Sequence, residues 1–394
     1  MKRKLIATII AAAMITASLT GCGSTSTAKA NEMSGAGEAE VLGEKSSSGS
    51  EYIAGTEFEG VTAKEKYNFS IIVKSFESTY WQAAIQGMKM AAEDLGVTYD
   101  AQGPNTESDI ADQVNMLNTS ITSAPPAIGL AACDTASVLD SLETAKNSNI
   151  PIVCFDTGID DAPEGSVVAT IATDNIAAGA TAAEHMYEVL KDKISSASSP
   201  VRIGEVNQDA TALNIQQRGL GFIDKFIELA KADGKSVAVT GNEFYVNNCS
   251  EKGDESSADI VIEVAVPAQT TVELCATEAS TILNKADTIG IFGSNQITAE
   301  GILSANDNIG KLSSDPSEGV IGVGFDAGSI IKAAVSDGTF YGAVTQSPLM
   351  MGYYTIYAMT KVANGDTVSD YPTAGYWYDA ANMQDADIAP NLYD

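Results

Sequence analysis

From Tyr67 onward the chain alternates between short Val/Ile-rich runs and longer segments of helical period. The runs are 69–73 (FSIIV), 127–132 (AIGLAA), 151–155 (PIVCF), 166–171 (SVVATI), 201–206 (VRIGEV), 259–266, 288–293 (TIGIFG) and 320–325 (VIGVGF). Between them, 80–95, 109–123, 135–148, 176–194, 213–232, 270–284 and 297–306 repeat their apolar residues at helical spacing. A strand that is apolar on both faces must be covered on both faces, which a parallel sheet with crossover helices achieves. The pattern predicts an α/β protein of doubly wound parallel sheets.

The pattern also echoes itself. Residues 127–158 and 288–328 each run strand, polar loop, helix, strand, and each ends in Phe-Asp-x-Gly: Phe155-Asp156-Thr157-Gly158 and Phe325-Asp326-Ala327-Gly328. Two similar lobes are expected, with a ligand cleft between them. Ligands of open parallel sheets sit beyond the carboxyl ends of the strands, where Asp156 and Asp326 fall. An aspartate in that position also suits capping the next helix, and both readings stand at this stage.

Charge narrows the chemistry. The 394 residues carry 22 Lys+Arg against 52 Asp+Glu, a net charge of -30. Such a surface repels phosphate backbones and anionic lipid, which disfavours nucleic-acid binding and polybasic membrane docking. The single histidine, His185, excludes multi-histidine zinc sites, and it excludes Ser-His-Asp and Cys-His mechanisms unless it is itself the base. A dinucleotide site at Gly322-Val323-Gly324 fails because the third glycine comes late, at Gly328, and Asp326 occupies the turn.

The N-terminus reads as an address. Met1-Lys2-Arg3-Lys4 precedes an apolar stretch, Leu5 to Leu19, that is short and diluted for a membrane span. Residues 1–21 read as a signal peptide, and Leu19-Thr20-Gly21-Cys22 resembles a bacterial lipobox, with Cys22 the lipidated first mature residue. Its removal leaves 19 bases and 52 acids, a net charge of −33. Residues 22–66, rich in Ser, Gly, Ala, Thr and Glu, are expected to form a flexible tether. Cys133, Cys154, Cys249 and Cys275 match no zinc spacing and read as buried thiols, with a Cys133–Cys154 disulfide left open.

Several ordered segments carry a family resemblance: SIIVKSFESTYWQAAIQGMKMAAEDLGV, IPIVCFDTG, IATDNIAAG, LNIQQRGLGF, IGIFGSNQITAEGI, GVGFDAG and GAVTQSPLMMG. From about residue 67 to 394 the chain resembles the type I periplasmic binding proteins, the sugar-binding subunits of bacterial ABC importers that include ribose- and galactose-binding proteins. The resemblance implies an N-terminal lobe of 67–173 plus 347–375 and a C-terminal lobe of 174–346 plus 376–394. Crossovers are expected near Thr173-Asp174, Gln346-Ser347 and Ala374-Gly375.

It further implies a site. Tyr80 and Trp81 correspond to the aromatic pair that stacks on the C–H faces of a sugar ring, and Asp156 to the aspartate after the fourth strand. Arg218 corresponds to an arginine whose planar fork meets two sugar oxygens, and Asn295, Asp326 and Gln346 to the remaining rim positions. Ser78 and Thr157 stand where ribose binders carry Asn and Arg, and Ala131 where they carry Asn, which argues for a ligand other than ribose.

The expected protein is a non-enzymatic, monomeric lipoprotein on the outer face of the membrane. It would take up a sugar or polyol and pass it to a permease, with no cofactor. Three rival readings stand beside it: a receptor for a furanone signal such as autoinducer-2 (97–104, VTYDAQGP), a glycoside hydrolase using Asp156 and Asp326, and a regulator's effector domain. The export signal, and the lack of a basic helix-turn-helix before residue 67, oppose the last. An arginine neighbour, Arg218, is expected to favour ionisation of both aspartates, against the hydrolase. Whether the acidic stretch 382–391 holds calcium, and what 242–259 does, stay open.

Overall fold

The computed structural model describes residues 58–385 and 388–393. The signal sequence, Cys22 and all but the end of the expected tether lie outside them.

The first sheet begins with β1 (Asn68–Ile72), α1 (Thr79–Leu95), β2 (Thr98–Gln102), α2 (Ile110–Ser123), β3 (Ile128–Leu130), α3 (Leu139–Asn147), β4 (Ile152–Phe155) and β5 (Val167–Thr173). The chain then enters a second sheet through α4 (Asn175–Ser196), β6 (Val201–Val206), α5 (Leu213–Ala232), β7 (Val237–Gly241), α6 (Glu243–Asn248) and β8 (Ile260–Ala265). That sheet continues with α7 (Val272–Leu283), β9 (Thr288–Gly293), α8 (Gln296–Ile309), β10 (Ile321–Phe325), α9 (Ser329–Asp337) and β11 (Gly342–Thr345). Helix α10 (Pro348–Ala363) and β12 (Tyr371–Thr373) return to the first sheet, and β13 (Tyr376–Tyr378) closes the second.

The strand orders are β12-β5-β4-β3-β1-β2 and β13-β11-β10-β9-β6-β8-β7. Every pairing is parallel except that of β11 with β13. The α/β expectation of two parallel-dominated sheets is met.

Elements missing from the sequence reading have physical reasons. β2 and β7 are edge strands, and β2 (TYDAQ) is half-exposed and mostly polar, so it shows no apolar run. Helix α10 is buried around almost its whole circumference, which erases the 3.6-residue alternation. Of the stretch 242–259, the start forms α6, and Lys252 then offers its carbonyl to Val239 N–H at 2.8 Å beside the edge strand.

Each sheet has apolar clusters on both faces. Helix α10 lies along α1 so closely that a Cβ on Gly352 would fall 1.9 Å from the Ala84 carbonyl oxygen, and one on Gly87 1.7 Å from that of Leu349. Backbone is the obstacle at both points, so neither contact can relax by a rotamer change. Gly352→Ala is expected to lower stability by about 1–3 kcal/mol through separation of the two helices. A denaturant midpoint equal to that of the unsubstituted protein would contradict this.

Candidate functional site

The carboxyl ends of the strands meet in a cleft between the sheets. Lys74, Ser78, Tyr80, Trp81, Glu107 and Asp156 come from the first, and Gln208, Asn214, Arg218, Asn295, Gln296 and Asp326 from the second, with Gln346 at the return crossover. They enclose about 30 Å3, space for one or two water molecules. The walls touch directly: Lys74 Nζ donates to Asn214 Oδ1 at 3.1 Å, Gln208 Nε2 to Glu107 Oε2 at 2.8 Å, and Ser78 Oγ to Gln296 Oε1 at 3.3 Å.

Asp156 is 3% exposed and sits at a left-handed φ of 61°. It accepts from Tyr80 Oη at 2.6 Å, Thr157 Oγ1 at 2.9 Å and Asn214 Nδ2 at 2.9 Å, and its Oδ2 lies 3.1 Å from Lys74 Nζ. Burial pushes its pKa up, but the Lys74 ammonium and the Tyr80 hydroxyl outweigh burial and hold it below the ordinary value. Lys74 likewise resists burial: Asp156, Glu107 and Asp209 together raise its pKa. Both groups are charged at neutral pH.

Asp326 is the counterpart, at φ 74°. It accepts the Gln296 backbone N–H at the start of α8 (2.8 Å) and Gln346 Nε2 at 2.6 Å. Here burial wins over Arg218 and these bonds, and the pKa rises. Arg218 thus favours ionisation of both aspartates, as expected, but at Asp326 burial outweighs it.

Arg218 is fully buried on α5. Its guanidinium stacks on Phe325, with Cζ 3.7 Å from the ring centroid, and donates to Ser294 O (2.7 Å) and Asn175 Oδ1 (2.8 Å). Its Nε has no partner among the described residues. Asn295 caps α8 and donates to Gln208. Ser78 caps α1. Tyr80 and Trp81 stand edge to face, 4.9 Å apart at 85°, and Trp81 Nε1 donates to Glu107 Oε1 at 2.8 Å. Thr157 stands behind Asp156 rather than on the cleft wall, and Ala131 is core.

Lys74, Glu107, Gln208, Asn214 and Gln296 were absent from the sequence reading. Lys74 lies just past β1, as Gln208 does past β6, at the strand-end position that the aspartates also occupy. The four described cysteines are free thiols, and burial pushes Cys154 and Cys275 each up to about 12. Among the described residues no cluster is arranged to hold a metal ion, and no helix is long and apolar enough to cross a membrane.

Lys74→Met would leave Asp156 buried without its cation and is expected to cost about 3–5 kcal/mol, largely recovered by adding Asp156→Leu. Additive losses in the double variant would refute the coupling. Behind the wall, Glu205 is fully buried, with only Asn207 among the described residues donating to it, at Oε1 (2.6 Å), and burial raises its pKa well above 4.5. A raised carboxyl contributes stability that is complete below its unfolded-state pKa and is lost as pH rises toward the folded value. Glu205→Gln is therefore expected to flatten the fall in melting temperature as pH rises above the ordinary carboxylate value of 4.5, and an unaltered pH profile would count against it.

Comparison with known proteins places this geometry. The periplasmic binding protein domain matches residues 69–367. The ribose import binding protein of Escherichia coli is 24% identical over 316 residues, spanning 79% of this chain and 90% of that protein. An ABC transporter solute-binding protein from Agrobacterium vitis, solved with bound D-fucose, is 25% identical with a TM-score of 0.68, covering 83% of this chain and 100% of that one. A Brachyspira murdochii structure described as an ABC transporter, LacI family transcriptional regulator, is 29% identical, with a TM-score of 0.68 over 84% of this chain and 99% of that one. The chain belongs to the periplasmic binding protein family, in its type I, sugar-binding and non-enzymatic form.

Proposed function

We propose that the protein captures a sugar or related polyol in the cleft and delivers it to an ABC-type permease. The observation that carries this is the wall itself: amides and charged groups from both sheets converge there, and the buried Arg218 retains an Nε donor unpaired among the described residues. A hydroxyl donates and accepts, so a polyol can replace the cross-cleft bonds one for one. Arg218, Asp156 and Asp326 would take the rim, Asn295 and Gln346 would complete it, and Tyr80 and Trp81 would meet the C–H faces. Ser78 caps the helix bearing that pair, and Thr157 supports Asp156. Lys74 and Glu107 add rim groups of both signs.

The lobes of this reading are 67–173 plus 347–375 and 174–346 plus 376–394. Their three crossovers touch, since Thr173 Oγ1 donates to Gln346 Oε1 at 2.8 Å and lies 3.4 Å from Thr373 Oγ1. Rotation about this hinge opens the cleft, and closure presents both lobes to the permease. The family is extracytoplasmic, and a lipid on Cys22 would tether this monomer to the outer face of the membrane.

A thermal-shift screen of monosaccharides, pentitols, hexitols, nucleosides and the autoinducer-2 furanone tests the reading. At a hundredfold excess over Kd, a ligand of the folded state adds about 2.7 kcal/mol. A sugar or polyol is expected to raise Tm, and Arg218→Lys, which loses the planar fork, to weaken its binding about 10- to 100-fold. Stabilisation by the furanone alone, or by none of the sugars and polyols, would overturn it.

A further inference from the structure

We propose that Tyr393 is a positioning residue for the cleft, bracing the aromatic wall of one lobe and the aspartate turn of the other. The proposal rests on the sugar-binding reading for its effect on affinity, while its structural claim stands independently.

The Tyr393 ring lies edge-on to Tyr80, with centroids 6.0 Å apart at 74°. Tyr80 is thus gripped by two perpendicular rings, Trp81 and Tyr393, while its hydroxyl reaches Asp156. The tilt of the Tyr80 ring sets the direction of that bond, so a brace on the ring is a brace on the Asp156 carboxylate.

At its other end, the Tyr393 hydroxyl accepts the Ala327 N–H at 3.2 Å. Ala327 follows Asp326, whose left-handed backbone is disfavoured for a residue with a Cβ and persists only where its surroundings fix it. The carbonyl of that same peptide, Asp326 O, accepts from Tyr378 Oη at 2.8 Å. Two tyrosine hydroxyls therefore hold both polar atoms of the one peptide that follows Asp326, and one of these tyrosines also touches the opposite lobe.

The segment carrying Tyr393 is itself anchored near the return crossover. Thr345 Oγ1 donates to Asn391 O at 2.8 Å, Ser347 bonds the Asn391 side chain, and Lys332 Nζ donates to Leu392 O at 3.4 Å. Tyr393 packs against apolar clusters belonging to both sheets. A ring held at the hinge is placed to relay the setting of one wall to the other.

The test uses the full chain in a Trp377→Phe background, so that Trp81 is the sole indole. Trp377 stacks on His185, away from the cleft. In ligand-free protein, Tyr393→Ala is expected to raise acrylamide quenching of Trp81 about twofold, whereas Tyr393→Phe, which keeps the ring, leaves it unchanged. By calorimetry with D-ribose and D-fucose, Tyr393→Ala should weaken binding of whichever sugar binds by about tenfold or more, with Tyr393→Phe recovering most of the loss.

Unchanged Trp81 quenching in Tyr393→Ala, or affinity equal to that of the parent, overturns the proposal. So does a drop in melting temperature alone, which is what a purely structural role would give. If Tyr393→Ala does not fold, Tyr393→Leu, which keeps apolar bulk without a ring edge, is read by the same criteria. If the parent binds neither sugar, a broader sugar screen decides the functional reading, and Trp81 quenching still decides this one.

Discussion

A carboxylate taken out of water must be compensated within hydrogen-bond reach, and Asp156 draws its compensation from both sides of the cleft. Desolvation of such an ion costs several kcal/mol even after relaxation. Lys74, Tyr80 and Thr157 offset it from the first lobe, and Asn214 reaches across from the second. The fold makes this convergence possible because parallel strands deliver all their carboxyl ends to one edge of the sheet. Once the charge is fixed there, the neighbouring side chains have little freedom, and the wall becomes a preformed surface.

The two aspartates show how a repeated motif takes on two chemistries. Both sit at left-handed φ, and both tie their own N–H to the next strand, Asp156 to Ile171 O at 2.9 Å and Asp326 to Val344 O at 2.7 Å. The backbone device is the same in each half. The partners differ: Asp156 has a lysine at 3.1 Å, while Asp326 relies on amides and a helix N-terminus with Arg218 nearby. One pKa falls and the other rises. One lobe thus offers a fixed acceptor, and the other a carboxyl whose proton is held more tightly.

The fold was legible in the sequence where strands are buried on both faces, because continuous Val/Ile runs leave little else to build. It was illegible where burial removes contrast, as in α10, or exposure dilutes it, as in β2. For the site, the Phe-Asp-x-Gly echo located both carboxylates, and the resemblance supplied Tyr80, Trp81, Arg218, Asn295 and Gln346, all of which line the cleft. Lys74 escaped because a lysine beside a buried strand has no meaning until its partner 82 residues on is placed beside it. Asn214 and Gln208 escaped for the same reason, since their partners lie on the opposite lobe.

Those cross-cleft partners bear on how a hydroxyl-rich ligand would be selected. Asn214, Gln208 and Gln296 close the cleft with amides that donate and accept, so exchanging these bonds for bonds to hydroxyls is nearly neutral in free energy. Affinity would then come from what the closed cleft leaves unspent or only partly matched: the Arg218 Nε donor, the Asp326 carboxyl and the aromatic faces of Tyr80 and Trp81. Charged donors contribute about 1.5–3 kcal/mol each where neutral ones contribute about 1. Discrimination among such ligands would therefore rest on the few oxygens that face Arg218 and the two aspartates, while the amides would tolerate many arrangements of the rest.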